Sequence, residues 1–83
     1  MPVTVKLFAD LRELCGVKEL TLEAKTVAGA LDQLRTRFGA EFQSRLPHLA
    51  VLRNGENVKF LGGPKAKLRD GDTLSLLPPV AGG

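Results

Sequence analysis

A single amphipathic helix is predicted by residues 26–39, which read TVAGALDQLRTRFG. Thr26 is one of the residue types whose side chain caps a helix N-terminus, and Gly39 can end a helix in a left-handed backbone conformation. The apolar residues between them recur at helical spacing and would form one stripe. That stripe consists of Val27, Ala30, Leu31, Leu34 and Phe38. We therefore expect a helix at Val27–Phe38 that buries one face.

Strands are predicted on both sides of this helix. Before it, apolar and polar residues alternate in two segments, which is typical of strands with one buried face. After it, Asn54-Gly55 is the strongest short hairpin signal in the chain. The predicted strands are 3–7, 19–23, 49–53, 58–60 and 73–77. In this register Phe8 points away from the core, which is unusual for so large an apolar side chain.

The segments between these elements are predicted to be short turns. Ala9–Cys15 favours one turn of helix that Gly16 stops, and Ala40–Leu46 favours a loose turn before Pro47. Asp70-Gly71 indicates a tight turn before the last strand. The order of elements is two strands, a helix, two strands and a final strand. This order predicts an α+β fold in which one main helix packs on one face of a mixed sheet of four to five strands.

Length and composition restrict the possible functions. The chain has 83 residues, enough for one domain, with one cysteine and one histidine. Cys15 has no second cysteine with which to form a disulfide within the chain. One cysteine and one histidine, His48, are too few to build a metal site, so we expect no metal. We interpret Cys15 as a half-buried thiol, His48 as a surface residue, and Asp70 with Asp72 as turn residues. No phosphate-binding loop motif is present, so an independent enzyme is not expected.

Charge and hydropathy bear on partners and location. The formal net charge is +3, but the basic residues are scattered except for a cluster at 65–69, which Asp70 and Asp72 follow. The chain has no Trp or Tyr to stack on bases, so nucleic-acid binding is disfavoured, although a basic RNA-binding module is kept as an alternative. No apolar run is long enough to span a bilayer and no secretory signal is visible. We expect a cytoplasmic protein without membrane contact.

The last residues differ from the rest of the chain. Pro78-Pro79 cannot continue a sheet ladder and favours a stiff, extended exit from the last strand. Val80-Ala81 then leads to Gly82-Gly83, which have no Cβ and permit close backbone approach. A frayed end is the alternative interpretation. We predict a domain at 1–77 and an extended tail at 78–83 that can carry a carboxylate into a narrow site on a partner protein.

These segments also resemble a known family. VKLFADLRELCG at 5–16 is similar to the opening of the MoaD family, and LRDGDTL at 68–74 and LPPVAGG at 77–83 are similar to its closing segment. MoaD is the small, sulfur-carrier subunit of molybdopterin synthase, within the MoaD/ThiS ubiquitin-like carriers. The resemblance covers nearly the whole chain and implies a β-grasp, ubiquitin-like fold with the first and last strands adjacent at the sheet centre.

The resemblance implies a specific chemistry at the tail. An E1-like adenylating enzyme would consume ATP to adenylate Gly83, and a sulfur donor system would convert it to a thiocarboxylate. The carrier would donate this sulfur to precursor Z in the active site of the synthase large subunit, forming molybdopterin within a heterotetramer. Catalysis would reside mainly in the large subunit, and the carrier itself would bind no cofactor.

The resemblance also implies which residues dock. Phe8, Arg12 and Leu77 match family positions on the docking face, and the tail residues Pro78, Pro79, Val80 and Ala81 would bind the partner, with Gly82 beside the reactive Gly83. On local grounds alone, we also expect Phe60 to contribute to an apolar patch on the sheet. The alternative for Phe8 is that it packs under a loop.

One segment departs from the family pattern. Residues 60–67, FLGGPKAK, are longer than the corresponding stretch in the plainest synthase subunits. They look more like carriers that serve cysteine synthesis or archaeal protein modification. The open alternatives are therefore a carrier for another pathway, such as cysteine, thiamin or tRNA thiolation, and a ubiquitin-like modifier that joins Gly83 to lysines.

Overall fold

The computed structural model of the protein describes residues 2–78. Five strands and two α-helices follow one another along the chain, with short 3-10 turns at Leu46–His48, Val58–Leu61 and Gly63–Lys65. The elements are β1 (Pro2–Leu7), α1 (Asp10–Cys15), β2 (Glu19–Glu23), α2 (Val27–Arg45), β3 (Ala50–Arg53), β4 (Glu56–Asn57) and β5 (Thr73–Leu77).

The five strands form one mixed sheet in the order β2-β1-β5-β3-β4. The first and last strands lie side by side and run parallel, with Val5 opposite Leu74 and Leu7 opposite Leu76. The remaining neighbours are antiparallel. This is the β-grasp arrangement, and the predicted central pairing of the first and last strands is confirmed.

One face of the sheet carries the core. Alternate residues of β1 and β5 are completely or almost completely buried: Val3, Val5, Leu7, Leu74 and Leu76. They meet the apolar stripe of α2, in which Val27, Ala30 and Leu34 are buried, while Leu31 and Phe38 pack at its margin. The two-residue and helical periods of the sequence therefore identify the two faces that meet.

The ends of the predicted helix are confirmed, but the segment after it is not a loose turn. Thr26 is extended and its hydroxyl accepts a hydrogen bond from the Gly29 N–H (3.1 Å). Gly39 has φ 83° and interrupts the helix, which then resumes and continues to Arg45. The resumed turn places Phe42 in the core, completely buried and tilted against the Phe38 ring at a centroid distance of 5.8 Å.

The predicted strand at 58–60 is wrong, although the hairpin before it is confirmed. Asn54 and Gly55 both have positive φ, as a two-residue hairpin turn of type I′ requires. Pairing ends after Glu56–Asn57, because the Asn57 side chain accepts a hydrogen bond from the Lys59 N–H (3.0 Å) and caps a 3-10 turn. That turn buries Val58 and leaves Phe60 83% exposed.

No helix within residues 2–78 has both the length and the apolar character needed to cross a membrane.

Candidate functional site

The candidate site begins where the central strand β5 ends. Leu76 lies between Leu7 of β1 and Val51 of β3, and Leu77 is paired with Ala50. Because β5 has a neighbour on each side, the point at which the chain leaves the sheet is fixed. Pro78 follows at that point and is half-buried. The tail residues Pro79, Val80, Ala81, Gly82 and Gly83 lie outside the described residues, so the roles assigned to them remain predictions.

Phe8 and Leu77 come together at this end of the sheet. Leu7 and Leu76 are a register pair whose side chains enter the core. Leu77, the last residue of β5, therefore falls on the opposite face, and Phe8 directly follows β1 at the same end of the sheet. Both are partly buried rather than fully exposed. The two docking residues predicted from separate ends of the sequence thus each follow one member of a register pair at the same end of the sheet.

Arg12 fixes the position of Phe8. Its Nε donates a hydrogen bond to the Leu7 carbonyl (2.9 Å), and its guanidinium carbon lies 5.5 Å from the centroid of the Phe8 ring. This is cation–π geometry, in which the charge lies over the negative face of the ring. Arg12 therefore joins α1 to the end of β1, in addition to presenting a cation next to the apolar pair.

The turn after Phe8 is strained. The Leu11 N–H donates to the Phe8 carbonyl (3.2 Å), and Ala9 has φ 55° and ψ −133° inside this turn. A non-glycine residue in such a conformation costs about 1–3 kcal/mol, and such residues cluster at functional sites. The strain lies directly beside the predicted docking residue.

An open groove of about 440 Å³ adjoins Pro78. Ala9 and Asp10 form one wall, and Arg45, His48 and Leu49 contribute to the other. An ion pair joins Arg45 to Asp10 within this lining and raises the pKa of Arg45, chiefly through their hydrogen bond. Sequence reasoning missed this pair because 35 residues separate its members and only the fold brings α1 to the end of α2.

Cys15 is not an activated nucleophile. The residue is half-buried at the end of α1, and burial raises the pKa of its thiol, so the thiol stays protonated near neutral pH. This agrees with its interpretation as a packing residue. Within residues 2–78, no three metal-ligating side chains are grouped so that they could hold an ion.

Asp72 is a turn residue, as predicted. One carboxylate oxygen accepts from the Arg69 backbone N–H (2.8 Å) and the other from the Asn54 side-chain amide (2.9 Å). These hydrogen bonds lower the pKa of Asp72, and the charges of Arg53 and Arg69 add to the effect. Because Asn54 also accepts from the Thr73 N–H (2.9 Å), the β3–β4 turn is tied to the start of β5.

The sequence pattern of the ThiS family matches residues 5–83. The chain belongs to the ThiS family. Among its relatives, the small archaeal modifier protein 3 of Haloferax volcanii is 38% identical, and the alignment covers 100% of both chains. The molybdopterin synthase sulfur carrier subunit of Chlamydomonas reinhardtii is 33% identical, again over 100% of both. The chain is thus a member of a ubiquitin-like sulfur-carrier family, and the resemblance to MoaD is confirmed.

Solved structures share the fold over the whole domain. Small archaeal modifier protein 1 from Methanosarcina acetivorans superimposes with a TM-score of 0.86 at 32% identity, covering 99% of this chain and 96% of that one. A BexX/CysO complex from Amycolatopsis orientalis contains a chain that matches with a TM-score of 0.83 at 37% identity, covering 98% and 99%. A ThiS-family fold of this kind therefore occurs in complex with another protein.

Phe60 is not part of the sheet in this ThiS-family chain, although the sequence suggested that it was. It lies on the 3-10 turn at Val58–Leu61 rather than on a strand of the sheet. Its 83% exposure makes it the only large apolar side chain that is exposed among the residues the structure describes. The predicted patch on the sheet is therefore reduced to the region of Phe8 and Leu77.

The Asp72 carboxylate is expected to stabilise the fold in a pH-dependent way. Asp72→Asn turns one of its two acceptor oxygens into a donor, so we expect a loss of about 1–2 kcal/mol of unfolding free energy at pH 7. The folded-state pKa is depressed, so this contribution is fully present above the unfolded pKa of about 3.9 and is lost as pH falls through the folded value. Urea denaturation at several pH values measures it.

Asp32→Asn is the matched control, because it removes the same charge from an exposed ion pair on α2. Its effect should stay within about 0.5 kcal/mol. A deficit in the Asp72 variant that persisted unchanged at pH 2 would contradict the assignment.

Proposed function

We propose that this protein is a sulfur carrier whose Gly83 carboxylate is adenylated and then converted to a thiocarboxylate, with molybdopterin synthesis from precursor Z as the destination. The main observation in support is that β5 is held between β1 and β3 and ends at Leu77, directly before the tail. The fold thus presents a fixed base for a segment whose sequence, PPVAGG, suits entry into a narrow site. The 33% identity with a molybdopterin synthase sulfur carrier subunit supports the destination.

The chemistry requires a partner that supplies ATP and a sulfur nucleophile. An oxygen of the Gly83 carboxylate attacks the α-phosphorus of ATP and pyrophosphate leaves. Hydrosulfide or an equivalent sulfur nucleophile then attacks the acyl carbon. The bond from that carbon to the bridging oxygen breaks, and AMP leaves with the oxygen that came from the carboxylate. Covalent activation divides one difficult substitution into two easier steps. The glycines contribute by having no side chain where the backbone must approach the catalytic groups.

The folded body provides recognition. Residues 78–83 can span at most about 20 Å when extended, so the partner must hold the sheet end close to its active site. Phe8 and Leu77 supply apolar surface beside the exit, and Arg12 supplies a cation over Phe8. We propose that an E1-like adenylating enzyme and the synthase large subunit dock here in turn, the latter within a heterotetramer. The complex of CysO with BexX supports the use of protein partners.

The test is an intact-mass measurement. The full chain is incubated with a purified E1-like adenylating enzyme, ATP and sodium sulfide. The proposal expects the mass to rise by the difference between sulfur and oxygen, and only when ATP is present. The same enzyme preparation must adenylate another carrier as a positive control. If it does so and the mass of this chain stays unchanged, the proposal is contradicted.

A protein-modifier role is the second candidate. The observation that favours it is the 38% identity with small archaeal modifier protein 3. In this case a lysine amine attacks the acyl-adenylate, AMP leaves, and an isopeptide bond forms. The same incubation in a cell extract distinguishes the two roles, because a modifier yields conjugates that resist thiols and hydroxylamine, whereas a carrier yields free thiocarboxylate.

Phe8→Asp is expected to weaken docking of the adenylating enzyme by at least about tenfold, because it places a charge in the apolar centre of the proposed interface. Titration calorimetry with the purified enzyme measures the affinity. Phe60→Asp makes the same substitution at an exposed site away from the strands and should change the affinity by less than about twofold. Equal effects of the two variants would remove Phe8 from the interface.

A further inference from the structure

A large, open cavity lies at the opposite end of the sheet from Pro78. It has a volume of about 750 Å³ and opens where β5 and α2 both begin. Its walls carry four cations, Lys25, Arg53, Lys67 and Arg69, and one carboxylate, Asp72. The length of β5 separates this basic cavity from Leu77 by roughly 15 Å, so it is distinct from the docking face at the tail.

The net charge of the protein is concentrated in this basic cavity. The sequence has twelve basic and nine acidic residues, a formal charge of +3. The cavity lining has four basic residues and one acidic residue, so the remainder of the chain has eight of each. The residues outside the cavity therefore sum to no formal net charge, and the cavity lining carries a formal charge of +3.

The single carboxylate offsets only one of the four positive charges. Both oxygens of Asp72 are already engaged, by the Asn54 amide and by the Arg69 backbone N–H. Within residues 2–78, the salt bridges join other residues, and none involves the four cations of the cavity. Arg53 donates instead to the Lys67 carbonyl (2.9 Å), which holds its guanidinium at the cavity wall.

The backbone beneath the cations is held in place. The Leu68 N–H donates to the Lys25 carbonyl (2.8 Å), and Thr26 and Lys67 form an antiparallel bridge. The two lysines therefore project from neighbouring, paired segments. The backbone pairing therefore brings the charges of Lys25 and Lys67 close together.

The surroundings narrow the class of ligand. At the start of α2, the N–H groups of Val27, Gly29 and Ala30 already donate to the Ala66 carbonyl, the Thr26 hydroxyl and the Thr26 carbonyl. Three of the first four backbone N–H groups of α2, the kind of donor that cradles a phosphate, are therefore occupied. The lining also has no aromatic side chain on which a base could stack. Long cationic side chains around an open cavity suit several carboxylates spaced along a peptide.

We propose that the basic cavity binds an acidic segment of a partner protein. The inference goes beyond the proposed carrier function, because it concerns the opposite end of the domain and is independent of the chemistry of the tail. A partner bound at this cavity would contact the folded domain while leaving the other end of the sheet and residues 78–83 accessible. Charge complementarity of this kind raises association rates and fixes orientation.

The test is an NMR titration of the isotope-labelled full chain with a hexaglutamate peptide. Amide shifts should move at residues 25–27, 53 and 67–69, and the affinity should fall as salt rises. The double variant Lys25→Gln/Lys67→Gln should weaken binding by about fivefold or more. The control variant Lys18→Gln/Lys59→Gln removes the same charge from exposed lysines elsewhere and should weaken it by less than about twofold.

Three results would overturn the proposal. Equal weakening by both double variants would mean that only net charge matters. Shift changes centred outside the basic cavity would place the peptide elsewhere. Tighter binding of inorganic phosphate or of a short RNA duplex than of the peptide, in parallel titrations at the same salt concentration, would assign the cavity to phosphate or to nucleic acid instead.

Discussion

Phe42→Ala is expected to lower the free energy of unfolding by about 3–5 kcal/mol, the usual loss for a large buried aromatic. Phe42 is completely buried and is the largest of the fully buried side chains in the core. The chain has 83 residues and one cysteine, so no intrachain disulfide can compensate for a cavity. Since small domains have only about 5–15 kcal/mol of stability in total, the variant should be largely unfolded at moderate urea concentrations.

Phe60→Ala is the matched control, because it removes the same atoms from a side chain that is 83% exposed. It should change the unfolding free energy by less than about 0.5 kcal/mol. Equilibrium urea denaturation followed by circular dichroism measures both variants. Similar losses at the two positions, or a loss below about 1 kcal/mol at Phe42, would show that the second segment of α2 does not close the core.

The main elements could be predicted because their periodicity is strong and local. Val3, Val5 and Leu7 alternate with polar residues, and the stripe from Val27 to Phe38 repeats at helical spacing. Burial follows both patterns. The role of Phe42 could not be predicted, because six residues after Gly39 are too few to show a helical period, and its burial depends on where the core lies.

The error at 58–60 has a local cause. Val58 and Phe60 alternate with Lys59 as strand residues do, but the Asn57 side chain competes for the backbone by accepting from the Lys59 N–H. This short-range hydrogen bond converts the expected strand into a 3-10 turn. Apolar alternation over three residues is too weak a signal to outweigh an asparagine that can cap the turn.

The candidate site was predictable where it is contiguous in sequence and unpredictable where the fold assembles it. Phe8, Arg12 and Leu77 were identified through family resemblance, and the register of β1 and β5 brings the first and last of these to the same end of the sheet. The pair of Asp10 and Arg45 joins distant elements and leaves no sequence signal. The basic cavity is an intermediate case: the cluster at 65–69 supplies Lys67 and Arg69, but only the fold brings Lys25 and Arg53 beside them.

Deletion of Gly83 is expected to reduce thiocarboxylate formation by at least about a hundredfold while leaving the fold unchanged. Shortening the chain by one residue withdraws the carboxylate by about 3.5 Å, and misplacement of a reacting group by even 1 Å can cost about a hundredfold in rate. The intact-mass assay with adenylating enzyme, ATP and sulfide measures the product. The urea midpoint of the deletion variant should equal that of the parent, because the core residues all lie at or before Leu76.

Gly83→Ala separates the length of the tail from its width. This variant keeps the carboxylate at the same distance from β5 and adds only a methyl group, so an intermediate rate would mean that the narrow shape of the end matters as well as its reach. If the deletion variant were activated at the parental rate, the carboxylate would not need a set distance from the sheet, and the fixed exit of β5 between β1 and β3 would lose its proposed purpose. If both variants were inactive, the partner site would require the terminal glycine itself, which is the strictest form of the proposal.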